Sequence, residues 1–104
     1  MKRGEVWWAN IQKPLGRRPV VLLSRDAAYA VRASVTVAPI TRTIHDIPIE
    51  VPLGPSEGLP KDCVVNLDDI MTISKINLDR VLTTLLPAKM ALVDRAIKFA
   101  LNLR

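Results

Sequence analysis

The sequence predicts a mainly β fold, a small, strongly bent sheet or partly closed barrel that ends in one α-helix. Three features carry that expectation: short runs rich in β-branched and aromatic residues, breaks dense in Gly and Pro between them, and a helical period that begins only after Pro87. The 104 residues suit one domain, and no repeat or low-complexity tract divides residues 1–104.

Glu5-Val6-Trp7-Trp8-Ala9-Asn10-Ile11 mixes aromatic and branched residues and reads as the first strand, closed by the turn-like Lys13-Pro14-Leu15-Gly16. Arg18-Pro19-Val20-Val21-Leu22-Leu23-Ser24 reads as a buried strand, with Pro19 near its start, where a missing N–H does least harm. Arg25 to Tyr29 closes one helical turn, and Ala33-Ser34-Val35-Thr36-Val37-Ala38-Pro39-Ile40-Thr41 alternates as a third strand. Ile47-Pro48-Ile49-Glu50-Val51 alternates again, and the stretch from Pro52 to Pro60 is a loop by its density of turn formers. Asp62 to Leu67 and Ile70 to Ile73 give two more strands around the adjacent acids Asp68 and Asp69, and Arg80 to Leu85 a short last one.

From Pro87 the period becomes helical. Met90, Val93, Ile97 and Ala100 fall on one line, and Leu92, Ala96, Phe99 and Leu103 on a neighbouring one. Proline suits the first helical position, whereas Leu86 is a poor N-cap. So broad an apolar arc suits core packing, with part of it left to meet a second subunit.

Composition narrows the chemistry. Fifteen Lys and Arg against ten acids give a net charge of +5, which favours a polyanion, an acidic protein segment or an anionic surface without choosing among them. The single cysteine, Cys63, has no partner for a disulfide and no zinc-like spacing to a histidine, so it reads as a small buried hydrophobe. Met1 to Glu5 lacks the layout of a secretory signal and the apolar runs are short, which points to the cytoplasm. With one histidine, no nucleophile elbow and no phosphate-binding loop, most hydrolase classes drop out. Neighbours on a strand face opposite ways, so Asp68 and Asp69 support a two-metal site weakly; no metal or cofactor is expected.

What remains is a set of arginines and hydroxyls at strand ends: Arg17, Arg18, Thr41, Arg42 and Thr43. A guanidinium is a planar, permanently charged fork for phosphate oxygens, and threonine hydroxyls can donate to another. Such a set suits a phosphodiester. By residues alone the chain is a nucleic-acid-binding module, a protein-binding module or a small enzyme.

Four segments, in order, resemble the MazF/PemK toxin family: Lys2-Arg3-Gly4-Glu5-Val6-Trp7, Gly16-Arg17-Arg18-Pro19-Val20-Val21-Leu22-Leu23-Ser24, Val37-Ala38-Pro39-Ile40-Thr41 and Gly58-Leu59-Pro60-Lys61-Asp62-Cys63-Val64-Val65. The segment from Met90 to Leu101 is similar to the family's last helix. The resemblance implies an SH3-like barrel of the CcdB/MazF type that forms a homodimer and cuts single-stranded RNA, messenger RNA above all, at a short motif without metal. It places the catalytic pair on Arg18 and Thr41; Arg17, Arg42, Thr43, His45 and Asp69 are the substrate-binding candidates beside them. In the implied reaction the 2′-hydroxyl attacks the adjacent phosphorus, leaving 2′,3′-cyclic phosphate and 5′-hydroxyl ends, and His45 would act as base if it faced the phosphate.

The resemblance also implies a cognate MazE-like antitoxin whose acidic tail covers the RNA groove, with DNA bound only through that complex and no membrane partner. Two departures bear on specificity. The loop before Arg18 is short and lacks the family's Glu-Gln pair, and Asp69 and Met71 stand where the family often has glutamine and a basic residue. The rivals are a CcdB-like DNA gyrase poison of the same fold and a non-catalytic nucleic-acid-binding barrel. Arg18 and Thr41 in matching contexts weigh against the first, because a gyrase poison needs no phosphate clamp.

Overall fold

The computed structural model describes residues 1–104. Seven strands, β1 (Glu5–Asn10), β2 (Arg17–Leu22), β3 (Ser34–Thr41), β4 (Glu50–Leu53), β5 (Cys63–Asn66), β6 (Met71–Ser74) and β7 (Leu78–Thr84), are joined by a short helix α1 (Ala28–Val31) and followed by α2 (Pro87–Ala100). Single 3₁₀ turns occupy Pro55–Glu57, Leu67–Asp69 and Lys75–Asn77.

The strand order is β4-β5-β3-β2-β1-β7, with β6 on β3, and every pairing is antiparallel. β3 organises the sheet. One edge pairs with β2 from Val37 to Pro39, while the other pairs first with β6 from Ser34 to Val37 and then with β5 at Ile40 and Thr41. β5 and β6 therefore follow one another along a single edge, and the 3₁₀ turn Leu67–Asp69 between them marks the bend. No ladder joins β4 to β7, so the bent sheet is not closed into a barrel. Two register shifts in the β1–β7 pairing, at Val6/Trp7 and Trp8/Ala9, add local twist.

Alternation along the strands builds a core on each face. Val6, Val21, Leu23, Ala38, Ile40 and Val65 join Val93 and Ala96 of α2 in the larger one; Ala9, Val20, Leu22, Val35 and Val37 join Tyr29 of α1 in the smaller. Arg3 ties the helix to the sheet: its Nη2 lies 2.7 Å from Asp94 Oδ1, and its Nε donates to the Leu23 carbonyl at 3.0 Å.

Several bounds differ from the sequence expectation. β7 runs seven residues from Leu78 rather than starting at Arg80, because its charged Asp79 and Arg80 sit exposed on an edge strand, where charge discourages further pairing. β4 starts at Glu50, not Ile47, and keeps Pro52 inside it, which an edge strand tolerates. The helical turn forms at Ala28–Val31, past the expected Arg25–Tyr29. On α2, the line through Met90, Val93 and Ile97 faces the core, but the second line divides: Ala96 is buried, whereas Leu92 is 40% and Phe99 62% exposed. Pro87 opens the helix and Leu86 supplies no side-chain cap.

Candidate active site

The larger core is roofed by α2 at one end and open at the other, and the same strand faces run through both. Along β1 the line passes from buried Val6 to Trp8; along β2, from Leu23 and Val21 to Pro19 and Arg17; along β3, from Ala38 to Ile40 and Arg42. The open end is a cleft of about 590 Å³ floored by Ile40, Leu59 and Cys63 and rimmed by Arg17, Arg18, Thr41, Arg42, Thr43 and Lys61.

The β2–β3 ladder ends at Val20 and Pro39, so Arg18 and Thr41, just beyond it on the two strands, fall at the same end of the sheet, where both line the cleft. Arg18 Nε donates to the Leu15 carbonyl at 2.9 Å, which orients the guanidinium and leaves both terminal nitrogens without a protein partner. Thr41 Oγ1 accepts from the Thr43 amide at 3.1 Å, so its hydroxyl proton stays free to donate. The exposed Arg42, Thr43 and Lys61 bring further donors to the cleft, and no carboxylate or imidazole lines it. Charge repulsion among unpaired cations is relieved by an anion, and a phosphate matches both the charge and the donor geometry.

Arg17 differs from the others. Its Nη1 donates to Asn10 Oδ1 at 3.1 Å, its Nη2 bonds Asp79 Oδ2, and its guanidinium carbon lies 5.1 Å from the centroid of the Trp8 ring. Cys63 contributes shape rather than reactivity. Burial, reinforced by Asp62 and Glu57, pushes its thiol up, away from the thiolate a nucleophile needs.

His45 and Asp69 lie outside the cleft. β3 and β4 are parallel with β5 between them, so residues 42–49 must cross from the Thr41 end of the sheet to the Glu50 end. His45 is carried away on that crossing, where its amide and that of Asp46 both donate to Glu50 Oε1 at 2.9 Å. Glu50 is buried and its Oε2 has no partner. Asp69 sits exposed in the 3₁₀ turn at the bend, accepting from Asn66 Nδ2 at 3.2 Å. No three His, Cys, Asp or Glu side chains come together as a metal-binding group.

Two lining residues, Trp8 and Lys61, were not singled out from the sequence. Their signal is the period of two: Trp8 follows Val6 on one face, and Lys61 precedes Cys63 on another.

Residues 2–101 match the family model of the PemK-like, MazF-like toxin of type II toxin-antitoxin systems. A Mycobacterium tuberculosis protein named "Probable endoribonuclease MazF5" is 41% identical over 101 residues, which cover 96% of this chain and 92% of that protein. Among solved structures, the M. tuberculosis toxin MazF-mt6 aligns with a TM-score of 0.89 at 32% identity, covering 96% of this chain and 98% of that one. A mycobacterial endoribonuclease solved in complex with its cognate antitoxin aligns equally well, with a TM-score of 0.89, 32% identity, and 100% of this chain and 97% of that one covered.

Proposed function

The chain belongs to the PemK-like, MazF-like family of type II toxins, whose relatives carry endoribonuclease names, and on that premise we propose that its cleft cuts single-stranded RNA with Arg18 and Thr41 as the catalytic pair. The observation that carries this reading is the oriented Arg18 fork, with both terminal nitrogens free, in the same cleft as a Thr41 hydroxyl that is free to donate. The family and its relatives' names favour this reading over the gyrase poison.

In the proposed step the ribose 2′-hydroxyl attacks the adjacent phosphorus. The O2′–P bond forms as the P–O5′ bond breaks, giving a 2′,3′-cyclic phosphate and a 5′-hydroxyl. Arg18 holds two non-bridging oxygens and Thr41 donates to one of them, so both interactions strengthen as charge grows in the transition state. A guanidinium, with a pKa above about 12, is a clamp and not a base. The cleft holds no imidazole or carboxylate, so the 2′ proton leaves to solvent and the 5′ oxygen takes one back from it. Arg42, Thr43 and Lys61 seat the flanking backbone. No step calls on a metal.

The remaining readings belong to the same proposal. Residues 1–104 act as one toxin domain in the cytoplasm; no helix is long and apolar enough to cross a membrane. Exposed Leu92, Phe99, Leu101 and Leu103 support a homodimer. The antitoxin partner is MazE-like, its acidic segment drawn to the same cations that receive RNA, and the chain meets DNA only through that complex. The test is incubation of the protein with a long single-stranded RNA in excess EDTA, with end groups mapped. Cuts at one short motif bearing 5′-hydroxyl ends, abolished in Arg18→Ala and Thr41→Ala, are expected; intact RNA beside folded protein would overturn the reading.

A further inference from the structure

Both terminal nitrogens of Arg17 are already committed, one to Asn10 and one to Asp79, and Asp79 matches its charge. It is therefore a poor phosphate clamp, unlike Arg18 beside it. What it keeps is its plane. Its guanidinium carbon lies over the Trp8 ring, 5.1 Å from the centroid and within cation–π range. The side chain is still 43% exposed, at the cleft rim, so a ligand in the cleft can reach it.

We infer that Trp8 and Arg17, pinned by Asn10 and Asp79, form a stacking platform for one nucleobase of the RNA, so that Arg17 seats that base with a modest preference for those that stack most strongly, while Arg18 holds the phosphate. This rests on the ribonuclease reading for the nature of the ligand. The pinning partners come from β1 and β7, the strand pair that also carries Trp8, so platform and anchors move as one unit. Arginine planes and tryptophan rings both stack on bases, and stacking has its own signature: it is insensitive to salt, whereas each phosphate contact to a single strand contributes about 0.7 to the salt slope. At this exposure the Arg17–Asp79 pair adds little to stability, so its geometry is what matters.

The test uses the full chain, a fluorescently labelled single-stranded DNA oligonucleotide that lacks the 2′-hydroxyl and so is not cut, and a long single-stranded RNA. Arg17→Lys keeps the charge and loses the plane. It is expected to bind the DNA roughly tenfold more weakly with an unchanged salt slope, and to cut RNA with relaxed preference at one motif position. Asp79→Asn, which loosens the pin, is expected to show a smaller loss in the same direction. Lys61→Ala is expected to do the reverse, lowering the slope by about 0.7 and leaving the motif intact. The platform is overturned if Arg17→Lys binds and cuts as the wild type does, if Arg17→Ala lowers the salt slope by one phosphate contact, or if Asp79→Asn tightens binding. Those results leave RNA cutting by the wild type in place, whereas a protein that shows the Arg17 effects on DNA but cuts no RNA loses the ribonuclease reading and keeps the platform.

Discussion

The two ends of the larger core share the same strands and the same alternation but have opposite characters. Under α2, Val6, Val21, Leu23 and Val93 are buried and dry; at the other end the same faces present Trp8, Arg17 and Arg42 to a cleft with no carboxylate in its lining. The helix accounts for the difference. Where α2 covers the sheet, removal of apolar surface from water is the dominant gain and any unpaired charge would be costly. Beyond the helix the sheet is uncovered, cations stay hydrated, and an anion that displaces that water gains the full set of donors. Stability and chemistry are thus laid out end to end along single strands.

Arg18→Ala gives the largest expected effect. Cleavage should fall about 100-fold or more, as when one preorganised donor to transition-state charge is removed, while the urea midpoint barely moves. A large loss of stability would instead make Arg18 part of the fold's support. Val93→Ala should do the opposite, costing about 2 kcal/mol by deleting buried methyls and leaving a cavity, with cleavage per folded molecule unchanged. Equilibrium unfolding combined with activity at matched folded fraction checks it.

Cys63 stands at the boundary between the two ends and sharpens the division. Because burial keeps its thiol protonated, Cys63→Ala should leave the cleavage rate and its pH profile through neutrality as they are, with a small loss of stability; a rate that collapsed would give the thiol a chemical role. The smallest effect lies on the opposite face. Tyr29 donates its hydroxyl to the Ser24 carbonyl at 3.0 Å, and burial, helped by Asp26, pushes its pKa up to about 12. The fold favours the protonated phenol, so this contribution is complete below the unfolded pKa near 10 and disappears as pH rises toward 12. Tyr29→Phe should therefore be less sensitive to alkaline unfolding than the wild type between those values, measured by circular dichroism against pH.

Much of the fold was legible because the signals were local. The β1 segment showed aromatic and branched residues, β2 a continuous apolar run and β3 a period of two, with breaks between them, and α2 showed its own period. Among the bounds that slipped were those of two edge strands. β7 carries Asp79 and Arg80 on a surface that water satisfies, and β4 tolerates Pro52 because one of its sides pairs with nothing. Within the site, Arg17, Arg18, Thr41, Arg42 and Thr43 stood out as donors at strand ends, and the structure brings all of them to one cleft. His45 looked close to Thr41 in sequence, yet the crossing of residues 42–49 over β5 removes it; Lys61 looked remote, yet β5 delivers it.

Side-chain period, turn chemistry and ordered motifs within short windows were enough to show which segments extend, which one coils and the family to which the chain belongs. Assembly of the sheet settled the rest: that Arg18 and Thr41 share one cleft, that Arg17 is held over Trp8 while Arg18 keeps its terminal nitrogens free, and that the bent sheet stays open. Each of these depends on the register between strands distant in sequence and on a competition among side-chain partners, Asp79 and Leu15 among them, that only the assembled sheet brings within reach.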